Sequence, residues 1–139
     1  MILLDTNVVS EPLRPEPETR IIDWIDAQQL ETLHLSAITV AEMRSGIAQL
    51  PEGRRRARIQ DNFEQRQLPL FEGRVLSFDV QCSAAYARIV SDARHRGRPI
   101  SVADAYIAAT AATHGLTVAT RDERPFREAG LNVVNPWRM

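Results

Sequence analysis

The stretch Ile2-Leu3-Leu4-Asp5-Thr6-Asn7 decides the fold class, because a short apolar run in it ends abruptly at a carboxylate. A run of apolar residues without alternation is typical of a strand that is buried on both faces. Such strands belong to parallel sheets that are covered by helices on both sides. We therefore predict a buried strand at residues 2–4, with Asp5 as the residue that ends it.

Further short apolar segments alternate with helical patterns along the chain. The other predicted strands cover residues 33–35, 75–78, 118–120 and 132–134. The predicted helical segments are a turn at 8–13 and helices at 18–29, 39–50, 54–67, 79–94, 101–114 and 125–129. This alternation indicates a parallel sheet. The predicted fold class is α/β, a single-domain α/β/α sandwich over residues 1–139 with a short-stranded, mainly parallel central sheet.

The composition suits an ordinary globular domain and excludes several kinds of chemistry. The chain has 139 residues, 44% of them apolar and 25% charged, which is enough to bury a core within one domain. Its formal charge of −1 neither favours nor excludes nucleic acid as a partner. All 17 basic residues are arginine. Schiff-base and P-loop chemistry, which need a lysine, are therefore excluded.

The sequence also predicts a cytoplasmic protein without membrane association. The single cysteine, Cys82, excludes an internal disulfide and a thiolate metal cage, and so favours a reducing compartment. The three histidines, His34, His95 and His114, lack the spacing of a zinc site. No apolar run approaches the roughly 18 residues of a membrane span, and the first residues do not resemble a signal peptide.

Four carboxylates occur where this fold would gather functional groups. Asp5 ends the first strand, Asp122 follows the fourth, and Glu42 and Asp104 lie near the starts of two helices. In a parallel α/β sheet, the carboxyl ends of strands and the amino ends of helices share one edge, where ligands bind. We therefore expect the four carboxylates to converge there.

Clustered carboxylates remain ionised at neutral pH only when a positive group joins them. Mg²⁺ and Mn²⁺ are hard cations that take oxygen ligands and retain several waters. Such ions activate water and stabilise the charge that develops on a phosphodiester during hydrolysis. Metal-assisted hydrolysis is therefore the chemistry that these residues support best.

Each acid also has a purely structural interpretation. Asp5 can cap the helix that follows it, and Asp122 can be a turn residue. The pairs Thr39-x-x-Glu42 and Ser101-x-x-Asp104 both fit a capping box or its Asp variant. The alternative function is therefore a non-catalytic binding module.

Four segments, in this order, resemble the motifs of PIN-domain ribonucleases. They are Ile2-Leu3-Leu4-Asp5-Thr6-Asn7, Ser36-Ala37-Ile38-Thr39-Val40-Ala41-Glu42, Ser101-Val102-Ala103-Asp104-Ala105 and Thr120-Arg121-Asp122. The closing Val134-Asn135-Pro136-Trp137 resembles the tail that is common in the VapC toxin branch, especially in its FitB-like members. The resemblance covers nearly the whole chain.

The resemblance implies a PIN-like sandwich that hydrolyses RNA with Mg²⁺ or Mn²⁺. It implies that the catalytic, metal-binding carboxylates are Asp5, Glu42, Asp104 and Asp122. Thr6, Asn7 and Thr120 match positions that support this pocket by hydrogen bonding, and Ser101 is placed with them. It also implies a homodimeric toxin, held by a small antitoxin that blocks the pocket and alone binds operator DNA. In the alternative, the non-catalytic PIN-like module acts only in complex with this small DNA-binding partner.

Basic residues must flank an acidic pocket if RNA is to approach it. Arg94, Arg96 and Arg98 precede Asp104 by a few residues, and we predict that they contact RNA phosphates. A second run comprises Arg54, Arg55, Arg56 and Arg58, and its role stays open between a solvated helix face and a partner contact.

Two classes of phosphotransfer enzyme also place an aspartate after the first strand. Haloacid-dehalogenase-like hydrolases have a second aspartate two residues later, where this chain has Asn7. These hydrolases and response-regulator receivers both usually employ a lysine, which this chain lacks. Both classes are therefore set aside.

Overall fold

The computed structural model describes all residues from Met1 to Met139. Five strands form one sheet in the order β3-β2-β1-β4-β5, and every pair of neighbours is parallel. The strands are β1 (Ile2–Leu4), β2 (Leu33–Ser36), β3 (Val75–Leu76), β4 (Thr117–Ala119) and β5 (Val133–Val134). All carboxyl ends therefore point to the same edge of the sheet.

Seven α-helices cover this sheet. They are α1 (Thr6–Ser10), α2 (Thr19–Ala27), α3 (Ala37–Ala48), α4 (Arg54–Asp61), α5 (Val80–His95), α6 (Val102–His114) and α7 (Glu123–Glu128). Short 3-10 turns occur at Glu11–Leu13, Leu30–Thr32, Leu68–Phe71 and Pro136–Arg138, and Asn62–Gln67 winds as a wider π-helical segment. None of the helices combines the length and apolarity that crossing a bilayer requires.

Two hydrophobic cores lie on opposite faces of the sheet, because successive strand residues point to opposite sides. Leu4 and Ala119 belong to the core beneath α2 and α3, while Leu3 and Val118 belong to the core beneath α5, α6 and α7. All four of these residues are at most 2% exposed. The central strands are therefore apolar on both faces, as the sequence pattern indicated.

The predicted α/β/α sandwich is confirmed, and its sheet is entirely parallel. Most element ends differ from the prediction by one or two residues, and three differences have a clear local cause or are larger. Strand β3 stops at Leu76, because Phe78 packs edge-on against Tyr106 and Asp79 already caps α5. Helix α3 begins at Ala37 instead of residue 39, and α4 gives way to the wider segment after Asp61.

The order of the strands determines where a ligand site can form. After β1 the chain moves outward through β2 and β3, then returns to β4 on the other side of β1. A crevice opens at such a reversal, beyond the carboxyl ends of the two adjacent strands. Asp5 follows β1 and Thr120 follows β4 at these ends. The Asp5 amide nitrogen donates to the Ala119 carbonyl at 2.9 Å.

Candidate active site

Asp5 follows β1 directly, at the edge of the sheet where the crevice opens, and is 5% exposed. Its Oδ1 accepts a hydrogen bond from the Thr6 amide at 2.8 Å, which caps α1. Its Oδ2 accepts from the Thr120 hydroxyl at 2.8 Å and from Asn7 Nδ2 at 3.2 Å. No arginine forms a salt bridge with this carboxylate. This is unusual, because a buried acid is normally paired with a basic side chain. Glu11, for example, is 3% exposed and is paired with Arg14.

Burial raises the pKa of Asp5 to about 6. The hydrogen bonds from Thr120 and Thr6 oppose this shift, whereas the nearby charges of Asp104 and Glu42 add to it. An apolar surrounding disfavours the charged form of a carboxyl group, and like charges do so as well. Asp5 is thus held in a place where a cation would stabilise its ionised form.

Glu42 projects from the second turn of α3. The N-cap of that helix is Ser36, whose hydroxyl accepts from the Ile38 amide at 2.9 Å. The predicted capping box of Thr39 and Glu42 is therefore wrong, since both residues lie inside the helix. Glu42 is instead oriented by the Thr6 hydroxyl, which donates to Oε1 at 2.5 Å. Its carboxylate serves no helix end.

Asp104 lies in the first turn of α6. The Ser101 hydroxyl accepts from the Asp104 amide at 3.2 Å, so the predicted N-cap is confirmed. Burial raises the pKa of Asp104, the hydrogen bond with Ser101 lowers it, and the charges of Asp122 and Glu42 raise it again. The cap fixes the backbone and leaves the carboxylate in the electrostatic field of the other acids.

Asp122 follows β4 and is exposed. It precedes α7, yet its side chain makes no capping hydrogen bond. Its place is set by its backbone, because the Asp122 amide donates to Thr120 Oγ1 at 3.0 Å and the Arg121 amide donates to Asn7 Oδ1 at 3.2 Å. Thr120 and Asn7 therefore hold both Asp5 and the turn that carries Asp122.

A cleft of about 450 Å³ adjoins Asp104 and Asp122, and neither Asp5 nor Glu42 lines it. Its wall includes Ser101, Asp104 and Asp122 together with three arginines, which are Arg96, Arg98 and Arg124. Both Arg98 and Arg124 pair with Glu128, at 2.5 and 3.0 Å. Two predicted arginines, Arg96 and Arg98, thus line the same cleft as Asp104 and Asp122, whereas Arg94 does not line it.

Two further basic residues lie near the acids: Arg124 was not predicted from the sequence, and Arg55 belongs to the run whose role the sequence left open. Arg124 lies on α7, two positions after Asp122, and its helical placement puts it on the wall of the cleft. Arg55 lines a separate groove of about 520 Å³ together with Thr6 and Glu42. The spacing from a motif acid could have indicated Arg124. Nothing in the sequence places Arg55 beside Glu42, because α3 and α4 meet only in the folded chain.

The donor set at the crevice fits a hard divalent cation. The oxygen donors there are carboxylates and hydroxyls without sulfur or imidazole, which is the donor chemistry that Mg²⁺ and Mn²⁺ prefer. No three His, Cys, Asp or Glu side chains approach closely enough to enclose an ion by themselves. That arrangement agrees with Mg²⁺, which is usually held by one or two carboxylates and keeps several waters.

The raised pKa of Asp5 predicts an unusual pH dependence of stability. The folded chain binds this proton more tightly than the unfolded chain, whose aspartates titrate near 3.9. The stabilisation from Asp5 is thus complete below about pH 4 and is lost as the pH rises through about 6. Without metal, we expect the unfolding free energy of Asp5→Asn to rise relative to that of the native chain between about pH 4 and pH 6. Urea unfolding of both proteins at several pH values measures it, and a constant difference would contradict the expectation.

Comparison with known proteins agrees with this geometry. The model of the PIN domain family matches residues 2–131. The VapC ribonuclease Y4jK of Sinorhizobium fredii is 53% identical over 137 residues, which are 99% of this chain and 98% of that protein. The toxin FitB of Neisseria gonorrhoeae is 54% identical over 137 residues, 99% of each chain.

Among solved structures, the fold is similar to FitAB bound to an IR36 DNA fragment, with a TM-score of 0.95 and 53% identity. The match covers 100% of this chain and 97% of that one. The resemblance of the four sequence motifs is thereby confirmed over nearly the whole molecule. This chain belongs to the PIN-domain family, within its branch of VapC- and FitB-type ribonuclease toxins.

Proposed function

We propose that this chain hydrolyses RNA phosphodiester bonds in a reaction that depends on Mg²⁺ or Mn²⁺. The proposed catalytic and metal-binding residues are Asp5, Glu42, Asp104 and Asp122. The observation that carries the proposal is Asp5, a carboxylate 5% exposed and bonded to no cationic side chain. A buried charge without a partner is costly, and a bound cation removes that cost.

Different neighbouring residues orient each of the acids by hydrogen bonds. Thr120 and Asn7 orient Asp5, and Thr6 orients Glu42. A bound divalent ion would supply an activated water and would stabilise negative charge on the phosphate. Ser101 fixes the first turn of α6, so Asp104 is presented on the wall of the cleft.

We propose that Arg96 and Arg98, together with Arg124, contact RNA phosphates in the cleft. Such contacts position the substrate and carry little sequence information. The contacts are also salt-dependent, since they release counterions from the nucleic acid. Arg94 was predicted with them, but its absence from the cleft wall leaves that prediction without structural support.

The proposed partner is a small antitoxin that blocks the acidic pocket and alone contacts operator DNA. Support comes from the similar protein FitB, which is a toxin, and from the similar FitAB assembly, which was solved on a DNA fragment. We also propose that the toxin is a homodimer and acts in the cytoplasm as a single domain. The single cysteine favours that reducing compartment.

A non-catalytic binding module is the second candidate. It is favoured by the capping bonds that Asp5 and Ser101 do make. Two other acids count against it. Asp122 caps nothing, and Glu42 lies beyond the first turn of its helix, so neither carboxylate has a structural task at a helix end.

The first experiment is a melting-temperature titration with Mn²⁺. A ligand that binds only the folded state adds about 2.7 kcal/mol of stability at a hundredfold excess over its Kd. That corresponds to a rise of several degrees for a domain of this size. We expect the native chain to show this rise and Asp104→Asn to lose most of it, because one ligand is missing.

Asp92→Asn is the matched control, since it makes the same substitution at an exposed acid on α5. This variant should respond to Mn²⁺ like the native chain. If neither the native chain nor the variants respond, the metal-dependent site is refuted, and the binding module becomes the explanation. A positive result would justify a search for the RNA target.

A further inference from the structure

We infer that Asn135 and Trp137, in the carboxyl-terminal segment, are positioning residues that hold the turn carrying Asp122. This inference rests on the proposed role of Asp122 as a metal ligand. The family match ends at residue 131, so both residues lie outside it. The segment nevertheless contacts the residues on each side of Asp122, at the backbone of Arg121 and at the side chain of Glu123.

Asn135 is the centre of these contacts and is 8% exposed. Its Nδ2 donates to the Arg121 carbonyl at 3.4 Å and to Glu123 Oε2 at 2.9 Å. These two acceptors immediately precede and follow Asp122. A single buried amide group therefore connects the two neighbours of a carboxylate that makes no capping bond of its own.

Trp137 contacts the same turn through the side chain of Arg121. The Arg121 guanidinium lies 5.3 Å from the centre of the indole ring, within the range of a cation–π interaction. Asn135 Oδ1 accepts from the Trp137 amide at 2.9 Å, which ties the two residues together. Arg20, on α2, donates to the Trp137 carbonyl at 2.7 Å and anchors the segment to the body of the protein.

The turn is thus fixed at three backbone groups by side chains from three parts of the chain. Asn7 holds the Arg121 amide, Thr120 holds the Asp122 amide, and Asn135 holds the Arg121 carbonyl. Since Asp122 is exposed, burial does not fix its carboxylate. The backbone contacts limit where it can lie, and partners of this kind that act through a metal ligand typically change metal affinity by 10- to 100-fold when they are removed.

The test uses two substitutions of Asn135 in the full chain. Asn135→Leu removes all hydrogen bonds of its side chain, whereas Asn135→Asp keeps the acceptor for the Trp137 amide and removes both donations. We expect each variant to raise the Kd for Mn²⁺ about tenfold. The added charge of the aspartate would by itself strengthen cation binding, so weaker binding by Asn135→Asp is a stringent result.

Hydrogen exchange provides a readout that needs no metal. In the metal-free protein, we expect the amides of Arg121 and Asp122 to exchange faster in both variants, while amides in α6 keep their native rates. Arg138→Ala is the control, because it removes an exposed ion pair with Glu123 and leaves the Arg121 contacts intact. That variant should change neither the Kd nor the exchange rates.

A double-mutant cycle with Asp122→Asn separates positioning from general destabilisation. If Asn135 acts through Asp122, replacing Asn135 in the Asp122→Asn background should change the Kd for Mn²⁺ less than about twofold, the usual limit of additivity. An equal loss in both backgrounds would overturn the inference. If the native chain binds no Mn²⁺, the proposed function fails. The hydrogen-exchange rates alone then test whether Asn135 positions the turn. Unchanged rates at Arg121 and Asp122 would show that it does not.

Discussion

Asp5→Asn is expected to abolish RNA cleavage and to leave the metal-free protein as stable as the native chain, or more stable. The substitution keeps the shape of the side chain and removes the negative charge of Asp5 at the end of β1. A metal ion supplies several kcal/mol of transition-state stabilisation, which corresponds to a loss of activity on the order of 10³-fold. Cleavage of a cellular RNA pool with Mn²⁺ measures this loss.

The expected gain in stability follows from the buried charge. The pKa of Asp5 is raised to about 6 from 3.8, and each pKa unit corresponds to about 1.4 kcal/mol, so ionisation costs the fold about 3 kcal/mol at neutral pH. Asparagine removes this cost but no longer accepts from Thr120 in the same way. The net change in unfolding free energy is expected to lie between zero and about 2 kcal/mol in favour of the variant.

Urea unfolding without metal checks this second expectation, with Asp92→Asn as the control for loss of an exposed acid. A clear loss of metal-free stability in Asp5→Asn would show that the carboxylate acts chiefly as the cap of α1. That result would favour the non-catalytic binding module. Intact cleavage by a stable variant would instead remove Asp5 from the catalytic residues.

Thr120→Val is expected to weaken metal binding by about 10- to 100-fold, although Thr120 is not a metal ligand in the proposed site. Its hydroxyl donates to Asp5 Oδ2 and accepts from the Asp122 amide, and so connects two of the proposed ligands. Valine has the same shape and lacks both functions. Loss of the hydrogen bond raises the pKa of Asp5 further, so a proton competes more strongly with the ion at neutral pH.

Stability should fall as well, by about 1–3 kcal/mol, because the Asp122 amide and one oxygen of Asp5 lose a partner. Thr110→Val is the matched control. Thr110 is as fully buried as Thr120, and its hydroxyl donates only to the Tyr106 carbonyl within α6. A Mn²⁺ titration of both variants by melting temperature separates the effects, and equal metal affinity in the two would contradict the assigned role.

The motif acids were predictable because the sequence shows where strands end. Asp5 closes a strand, Asp122 follows another, and Asp104 opens a helix behind a capping serine. Parallel connectivity then brings such positions to one edge. Glu42 was predicted for the site, but the capping box proposed as its structural alternative was wrong. Local spacing fits a capping box equally well at Thr39, whereas Ser36 caps α3 and the helix begins at Ala37.

The contacts of the carboxyl-terminal segment were not predictable from the sequence. The pattern Val134-Asn135-Pro136-Trp137 carries a family resemblance but no signal for these contacts. That Asn135 reaches the Arg121 carbonyl depends on β5 pairing beside β4, where Val133 lies opposite Val118. Arg55 beside Glu42 depends in the same way on how α3 and α4 meet.

The sequence by itself determined the fold class and the four acids, because apolar strand runs, helix starts and their order are local properties of the chain. Only the tertiary structure decided the environment of those acids. Burial and like charges raise the pKa of Asp5, and they arise from residues more than 30 positions away. Thr120 and Asn135 act on the site through contacts that span 115 and 14 positions, respectively. Desolvation and hydrogen-bond geometry depend on distances in space, which spacing along the chain does not specify.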